Sequence, residues 1–210
     1  MIKNIVFDFG GVLIDADLEA VLRSFRSMGI DNISEYINLY RQNGLFLDLE
    51  DGTKNKEEFN EALCAMTGRD IPDEAIASAW LAIVERVDPN KLLYLEELRK
   101  KYKLYLLSNI NPYVFEWAET PAFSELGQPI HHYFDKMFAS YQLKMTKPSQ
   151  EIFEHVLRSS GIKAEETLFV DDGAKNVATA ESMGFHVYQP QNREDWRGAV
   201  AQILSERNGI

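Results

Sequence analysis

The sequence predicts an α/β protein, a doubly wound parallel sheet with a small helical cap inserted after its first strand. Three observations predict it. Short apolar runs rich in β-branched and aromatic residues recur along the 210 residues, as buried parallel strands do. Segments with helical spacing and recognisable start and stop residues separate most of them. One long stretch, 17–87, breaks that alternation with helical segments alone, which reads as an insertion.

The first strand is Asn4–Phe7, NIVF, and it runs straight into Asp8. Helices are expected next over 18–28, 33–44, 56–66 and 74–87, with no strand among them. Asp15 and Asp17 precede the first of these, where Asp is a preferred cap. Asp88-Pro89 opens a helix running to residue 101, because Pro suits the first helical position. Strands follow at 103–107, 137–140, Thr167–Val170 and 186–189. Ser149 caps a helix that carries Ile152, Phe153, Val156 and Leu157 on one face, and Gly161 stops it. A helix over 174–183 stops at Gly184, and a last one over 194–206 is amphipathic through Trp196, Val200 and Leu204. The chain thus divides into a core, 1–16 and 88–210, and a cap, 17–87.

Composition sets limits on function. With 45% hydrophobic and 26% charged residues, a packed core is expected. A net charge of −11 disfavours nucleic acid, whose backbone needs clustered Lys and Arg. A small anion remains possible, since one lysine and a few N–H groups hold it locally. No apolar stretch approaches the ~18 residues of a membrane span, and Asp8 interrupts the N-terminal apolar run too early for a signal peptide. The single cysteine, Cys64, allows no internal disulfide. We expect a cytoplasmic monomer or weak homodimer with neither a membrane nor a nucleic-acid partner.

In such a sheet ligands bind beyond the carboxyl ends of the strands. Four features fall there: Asp8, Ser108-Asn109, Lys147 before Pro148, and Asp171-Asp172. Like-charged carboxylates at one rim repel by roughly 4 kcal/mol per pair at about 4 Å and an effective dielectric near 20. They therefore raise each other's pKa or recruit a cation, and oxygen ligands beside a phosphate suit Mg²⁺. Lys147 supplies a compact positive charge, Ser108 a hydroxyl, and Asp8 a carboxylate able to attack phosphorus. Adjacent His131 and His132 share no face and are read as surface residues. Cys64, Trp80 and Leu81 are read as packing residues. Tyr113, Phe115 and Trp117 are read equally as lining for a pocket mouth or as ordinary packing.

Taken together, VFDFGGVLID, LYLLSN, KMTKPSQEIFEHVL and LFVDDGAKNVATAESMG resemble, in order and in strand context, the four motifs of the haloacid dehalogenase superfamily. DFGGVLID, LLSNIN and KMTKPSQEIFEHVL look closest to a branch that includes sugar-phosphate phosphatases such as glucose-1-phosphatase. The resemblance implies a Rossmann-like core and a Mg²⁺-dependent phosphatase acting through an aspartyl-phosphate. Asp8 would be the nucleophile and, with the Gly10 carbonyl and Asp172, would bind Mg²⁺. Asp171 would be a further ligand or a supporting group. Ser108, Asn109 and Lys147 would hold the phosphoryl group, and Asn176 would support the metal site. The substrate would be a small phosphorylated metabolite, with a sugar phosphate such as a hexose 1-phosphate the first expectation.

The sequence departs from the superfamily pattern at Gly10. Most of its phosphatases carry there a second aspartate, which protonates the leaving group. General acid help is typically worth about 10²–10⁴-fold. Either another group or water supplies the proton, or the substrate has a good leaving group, or the protein binds phosphate without turning it over. The resemblance disfavours a 2-haloacid dehalogenase, since that group carries a Tyr at this position and needs no such acid.

Overall fold

The computed structural model describes residues 1–38 and 42–209. In chain order the elements are β1 (Asn4–Phe7), β2 (Ile14–Ala16), α1 (Leu18–Ser27), α2 (Gly44–Glu50), α3 (Lys56–Thr67), α4 (Asp73–Leu81), β3 (Val84–Val87), α5 (Pro89–Arg99), β4 (Lys103–Ser108), α6 (Pro112–Ala118), β5 (Lys136–Ala139), α7 (Ser140–Leu143), α8 (Gln150–Ser160), β6 (Thr167–Val170), α9 (Ala174–Ser182), β7 (His186–Tyr188) and α10 (Arg197–Asn208). Short 3₁₀ turns join several of them. The main sheet has the order β5-β4-β1-β6-β7, and every pairing in it is parallel.

β1 is the central strand, and its four residues are all buried. Its side chains alternate between the two faces. Ile5 and Phe7 join one core with Leu92, Leu95, Trp196 and Val200. Val6 joins another with Phe138, Ile152, Phe153 and Phe169. Helices therefore cover both faces, which is why the strands read as unbroken apolar runs. The in-register pairing of Phe7 with Leu106 and Val170 brings the carboxyl ends of three strands to one level.

The inserted helices pack around a cluster of rings. Phe46 makes edge-to-face contacts with Phe25 at 5.2 Å, Phe59 at 5.3 Å and Trp80 at 5.7 Å, the geometry that aromatic quadrupoles prefer. Asn55 starts α3 with a reciprocal capping box to Glu58, and Asp17 caps α1 through the Ala20 N–H.

Two expectations for the insertion need correction. The helix expected over 74–87 stops at Leu81, and Val84–Val87 forms a strand antiparallel to β2. The chain thus leaves and re-enters the core through one two-stranded ribbon. A register shift between Asp15 and Ala16 leaves Glu85 as an extra residue; such a bulge breaks the period-2 pattern by which a strand is read. The helix expected over 33–44 is replaced by a 3₁₀ turn at Ile33–Glu35, while Gly44 opens α2 instead of ending a helix. Residues 39–41 of that expectation lie outside the described residues. The last helix begins at Arg197 and not at 194: Arg193 is left-handed, at φ +71°, and the Asp195 carboxylate accepts from the Arg197 N–H at 3.3 Å. Among the described residues, no helix is long and apolar enough to cross a membrane.

A buried lysine pins the segment between β1 and β2. Lys91 on α5 is 2% exposed. Its Nζ donates to the Val12 carbonyl at 3.0 Å and lies 3.4 Å from Asp15 Oδ1. The Trp196 Nε1–H donates to the same carbonyl at 2.8 Å. Removing one member of a buried pair leaves the other charge uncompensated. Lys91→Ala should therefore cost about 3–5 kcal/mol of stability, read as a fall in the urea midpoint. The double variant Lys91→Met, Asp15→Asn should recover most of that loss.

Candidate active site

The site is built where β1, β4 and β6 end. The Asp8 N–H still donates to Val170, at 2.9 Å, so its side chain leaves the sheet at a position set by the ladder. Asp8 Oδ1 accepts from the Phe9 N–H at 2.7 Å and faces Lys147 Nζ at 2.9 Å. Lys147 comes from the loop before α8, and its side chain is 1% exposed. Its ammonium also donates to the Leu107 carbonyl at 2.9 Å and to Asp171 Oδ2 at 2.5 Å. Three strand ends therefore meet on one cation. Asn109 braces it from outside: Nδ2 donates to the Lys147 carbonyl at 2.9 Å and Oδ1 accepts from the Lys147 N–H at 2.8 Å.

The two adjacent aspartates have different surroundings. Asp171 is fully buried. Its Oδ1 accepts from the Gly173 N–H at 2.8 Å and from Asn176 Nδ2 at 3.0 Å, while Oδ2 meets Lys147. Asp172 instead faces a cleft lined also by Asp8, Gly10, Ser108, Asn109 and Lys147. Oxygens of Asp8, Asp171 and Asp172 lie within 4.8 Å of one another.

Burial and crowding set the proton affinities. Burial, chiefly, pushes Asp8 up to about 6, with Asp171 adding to the rise and Lys147 opposing it. Burial and then the charges of Asp8 and Asp171 push Asp172 up to about 7. Burial works against the Lys147 ammonium, yet Asp171 and Asp8 outweigh it and hold its pKa above the ordinary lysine value. The site thus favours a cation between Asp8 and Asp172, and it holds a fixed ammonium beside the nucleophile candidate.

The two glycines after Asp8 differ. A Cβ on Gly10 would meet nothing within 4 Å, so the space of the missing side chain is open cleft. Gly11 has φ +70°, and a Cβ there would lie 2.2 Å from Asp172 Oδ2. Gly11 is thus a turn residue, and it also clears the place where the Asp172 carboxylate sits. Neither nearby acid takes up the vacancy at Gly10: Asp15 is paired with Lys91 and Asp17 caps α1.

Above the strand ends the inserted helices close the cleft. Trp80, read from the sequence as packing, is 5% exposed and does pack among the rings, but it also lines the cleft, and its Nε1–H has no partner. Gln42 lines the cleft with its Oε1 unpartnered as well. Glu50, at the end of α2, is 8% exposed and lines the same cleft. Burial pushes its carboxyl up to about 7, against a hydrogen bond from Gln42 and the attraction of Lys147. The sequence reading missed Glu50 and Gln42. The signal for Glu50 was available: it stands one turn after Phe46 and beside Leu49, so an acid falls on the apolar face of a helix.

Other candidates fall elsewhere. Tyr113 donates to Asp73 at 2.6 Å, and Trp117 packs on Phe123. His131 and His132 are exposed and pair with Glu119 and Glu96. Cys64 is half-buried, accepting from the Ile71 N–H at 3.3 Å.

Comparison with known proteins places the chain in a family. A haloacid dehalogenase-like hydrolase model matches residues 2–184, and the protein belongs to that family. It is 43% identical over 205 residues to the D-ribitol-5-phosphate phosphatase of Bacteroides thetaiotaomicron, across 98% of this chain and 100% of that protein. The structure of a predicted HAD-like family hydrolase from Porphyromonas gingivalis superposes with a TM-score of 0.93 at 44% identity, over 97% of this chain and 98% of that one. A HAD family enzyme from Bacteroides thetaiotaomicron, solved with magnesium and inorganic phosphate, superposes with a TM-score of 0.86 at 36% identity, over 95% and 99%.

Two expectations follow. A folded-state carboxyl pKa above the unfolded value means that folding takes up a proton, so stability present below about pH 4.5 is lost as pH rises toward 7. Urea titrations in EDTA should show Glu50→Gln gaining stability over the wild type across that window, by up to about 3 kcal/mol. Gly11→Ala should displace Asp172: turnover should fall by at least about tenfold while the melting temperature drops by only a few degrees, as for a strained positive-φ site.

Proposed function

We propose that this protein is a Mg²⁺-dependent phosphatase of small sugar or polyol phosphates, working through an aspartyl-phosphate on Asp8. The observation that carries the proposal is the buried Lys147 ammonium, 2.9 Å from Asp8, at the floor of a cleft whose free carboxylate is Asp172. A phosphoryl group entering there meets a nucleophile, a fixed cation and the Ser108 hydroxyl.

The donor set fits Mg²⁺. Hard oxygen ligands on one side, with room for water and a phosphate oxygen on the other, are what this ion takes. Asp8, Asp172 and the Gly10 carbonyl would hold it. Asp171 is the weaker ligand, since both its oxygens are engaged with Lys147, Gly173 and Asn176. Bound there, the ion would neutralise charge between the carboxylates and the phosphoryl oxygens. The chain's own groups do the rest. Asp8 attacks phosphorus in line with the departing ester oxygen. Lys147 offsets the charge that Asp8 and the phosphoryl group bring together. Asp171, with Asn176 behind it, fixes Lys147, and Asn109 holds the backbone that presents it. Ser108 donates to a phosphoryl oxygen.

In this reading residues 17–87 act as a cap over a core of 1–16 and 88–210, and closure limits the substrate to small molecules. Trp80 and Gln42 line the same cleft, and Trp80 Nε1, a donor, and Gln42 Oε1, an acceptor, are each buried without a partner. A hydroxyl, which both donates and accepts, satisfies such a pair. A buried polar atom left unpaired costs about 1–3 kcal/mol, so these two favour a hydroxylated substrate over an apolar one. The relative's substrate, D-ribitol 5-phosphate, is of that kind; a hexose 1-phosphate is a second member of the same class.

A panel of polyol phosphates, sugar 1-phosphates, sugar 6-phosphates and p-nitrophenyl phosphate tests this. We expect turnover of polyol and sugar phosphates with Mg²⁺, none in EDTA, and a loss of roughly 10⁴-fold or more in Asp8→Asn. A wild type as inert as that variant on the whole panel would sink the phosphatase reading. Protons compete with the cation at Asp172 and Asp8 as pH falls through about 7 and about 6. The Mg²⁺ concentration for half-maximal rate should therefore rise steadily from pH 8 to pH 6.

A further inference from the structure

Gly10 leaves the reaction without a proton donor on the strand that carries Asp8, and the acid at the other wall of the cleft is Glu50. We propose that Glu50, supplied by the cap, is the general acid and base of this enzyme. The assignment rests on the phosphatase reading above and goes beyond it by naming the group that handles the proton.

The geometry points to Glu50 in four ways. Its carboxylate lines the cleft that holds Asp8, Ser108, Asn109 and Lys147. The space a side chain at Gly10 would fill is open, with nothing within 4 Å of that position, so a leaving group there is not screened from the cap. The Glu50 backbone is fastened to the core: its carbonyl accepts from the Ser140 hydroxyl at 2.6 Å, and the same hydroxyl oxygen accepts from the Ile110 N–H at 3.0 Å. Two residues on, Gly52 passes so close to the Tyr141 carbonyl that a Cβ would lie 2.0 Å from it. Glu50 is thus a cap residue held in register with the strand ends.

Among the described residues the Glu50 carboxylate forms no salt bridge; the groups acting on it are Gln42, which donates a hydrogen bond, Lys147 and Asp8 across the cleft, and Asp51 beside it. A buried acid without a cationic partner is costly to ionise, so near neutral pH it carries a proton a good part of the time, as a proton-transfer group requires. Asp15, Asp17 and Asp171 are bound elsewhere, and Asp8 and Asp172 are taken by the nucleophile and cation roles.

The steps balance as follows. Asp8 forms a bond to phosphorus while the phosphorus–ester oxygen bond breaks, and the departing oxygen takes the proton of the Glu50 carboxyl, giving the free alcohol and a Glu50 carboxylate. Water then attacks the aspartyl-phosphate and gives a proton to Glu50. The phosphorus–Asp8 bond breaks, releasing inorganic phosphate and restoring both carboxyl groups to their starting forms.

The test separates the proton from the fold. In rapid-quench experiments on the holoenzyme with Mg²⁺, Glu50→Gln should slow release of the alcohol from the best polyol or sugar phosphate of the panel by about 10²–10⁴-fold. p-Nitrophenolate leaves without protonation, so its burst from p-nitrophenyl phosphate should keep its rate within about threefold while the later hydrolysis of the phospho-enzyme slows. The wild-type rate on the polyol substrate should fall above about pH 7, and the variant should lack that limb. Glu50→Asp, which keeps the acid and retracts it, should be slower than wild type yet retain the limb; it serves also if the Gln variant does not fold. Unchanged alcohol release in Glu50→Gln would overturn the assignment. Equal slowing of both bursts, with the pH limb intact, would make Glu50 a positioning residue and overturn it too. A wild type inert on every ester would instead remove the phosphatase reading, and this assignment with it.

Discussion

The structure depends on one buried ammonium. Lys147 Nζ touches Asp8, Asp171 and the Leu107 carbonyl at once, and so ties together groups at the ends of β1, β6 and β4. Without it, carboxylates packed this closely and this far from water would not stay ionised. Without them, a lysine with a side chain 1% exposed would not stay charged. Each charge makes the other affordable, and the sheet supplies the rigidity that keeps them at contact distance. Asn109, Gly173 and Asn176 brace this pair: they hold the lysine's backbone and the oxygens of Asp171.

How much of this could be read from the sequence differs between core and cap. The core strands were legible because burial on both faces leaves mostly apolar residues in them, and the acids stand out at their ends. β1 and β6 match the expectation residue for residue. The cap was less legible for physical reasons. Val84–Val87 hides behind a bulge that spoils its alternation. Gly44, ordinarily a helix stop, opens one. The convergence of Asp8, Ser108, Asn109, Lys147 and Asp172 on one cleft agrees with the motif reading. The split between Asp171 and Asp172 was not legible, since only the hydrogen bonds made by each distinguish adjacent acids. Glu50 escaped although its signal, an acid on the apolar face of α2, was present; Gln42 escaped because its importance lies in an oxygen without a donor, which exists only in three dimensions.

Core and cap also divide the physical work. The core holds charge in a fixed arrangement. The cap brings apolar mass, the ring cluster around Phe46, and a few polar residues that line the cleft. Contacts between the two include Tyr113 to Asp73, Lys56 to Glu116, Arg193 to Glu85, and the Ser140 hydroxyl under Glu50. The last of these joins a cap carbonyl to the N–H after the Ser108-Asn109 pair through one oxygen. It ties the end of α2 directly to the segment that follows β4.

Gly11 carries a consequence of a different kind. A methyl group at that position and the Asp172 carboxylate claim the same volume, 2.2 Å apart, though they belong to opposite parts of the chain. The two residues are therefore not free to vary separately. A side chain at 11 is admissible only once the acid at 172 has been shortened or moved, and an acid at 172 keeps its place only while 11 stays bare. Any lineage or designer that alters the metal side of this site has to change both positions together, and the order of the two changes decides whether the intermediate protein works.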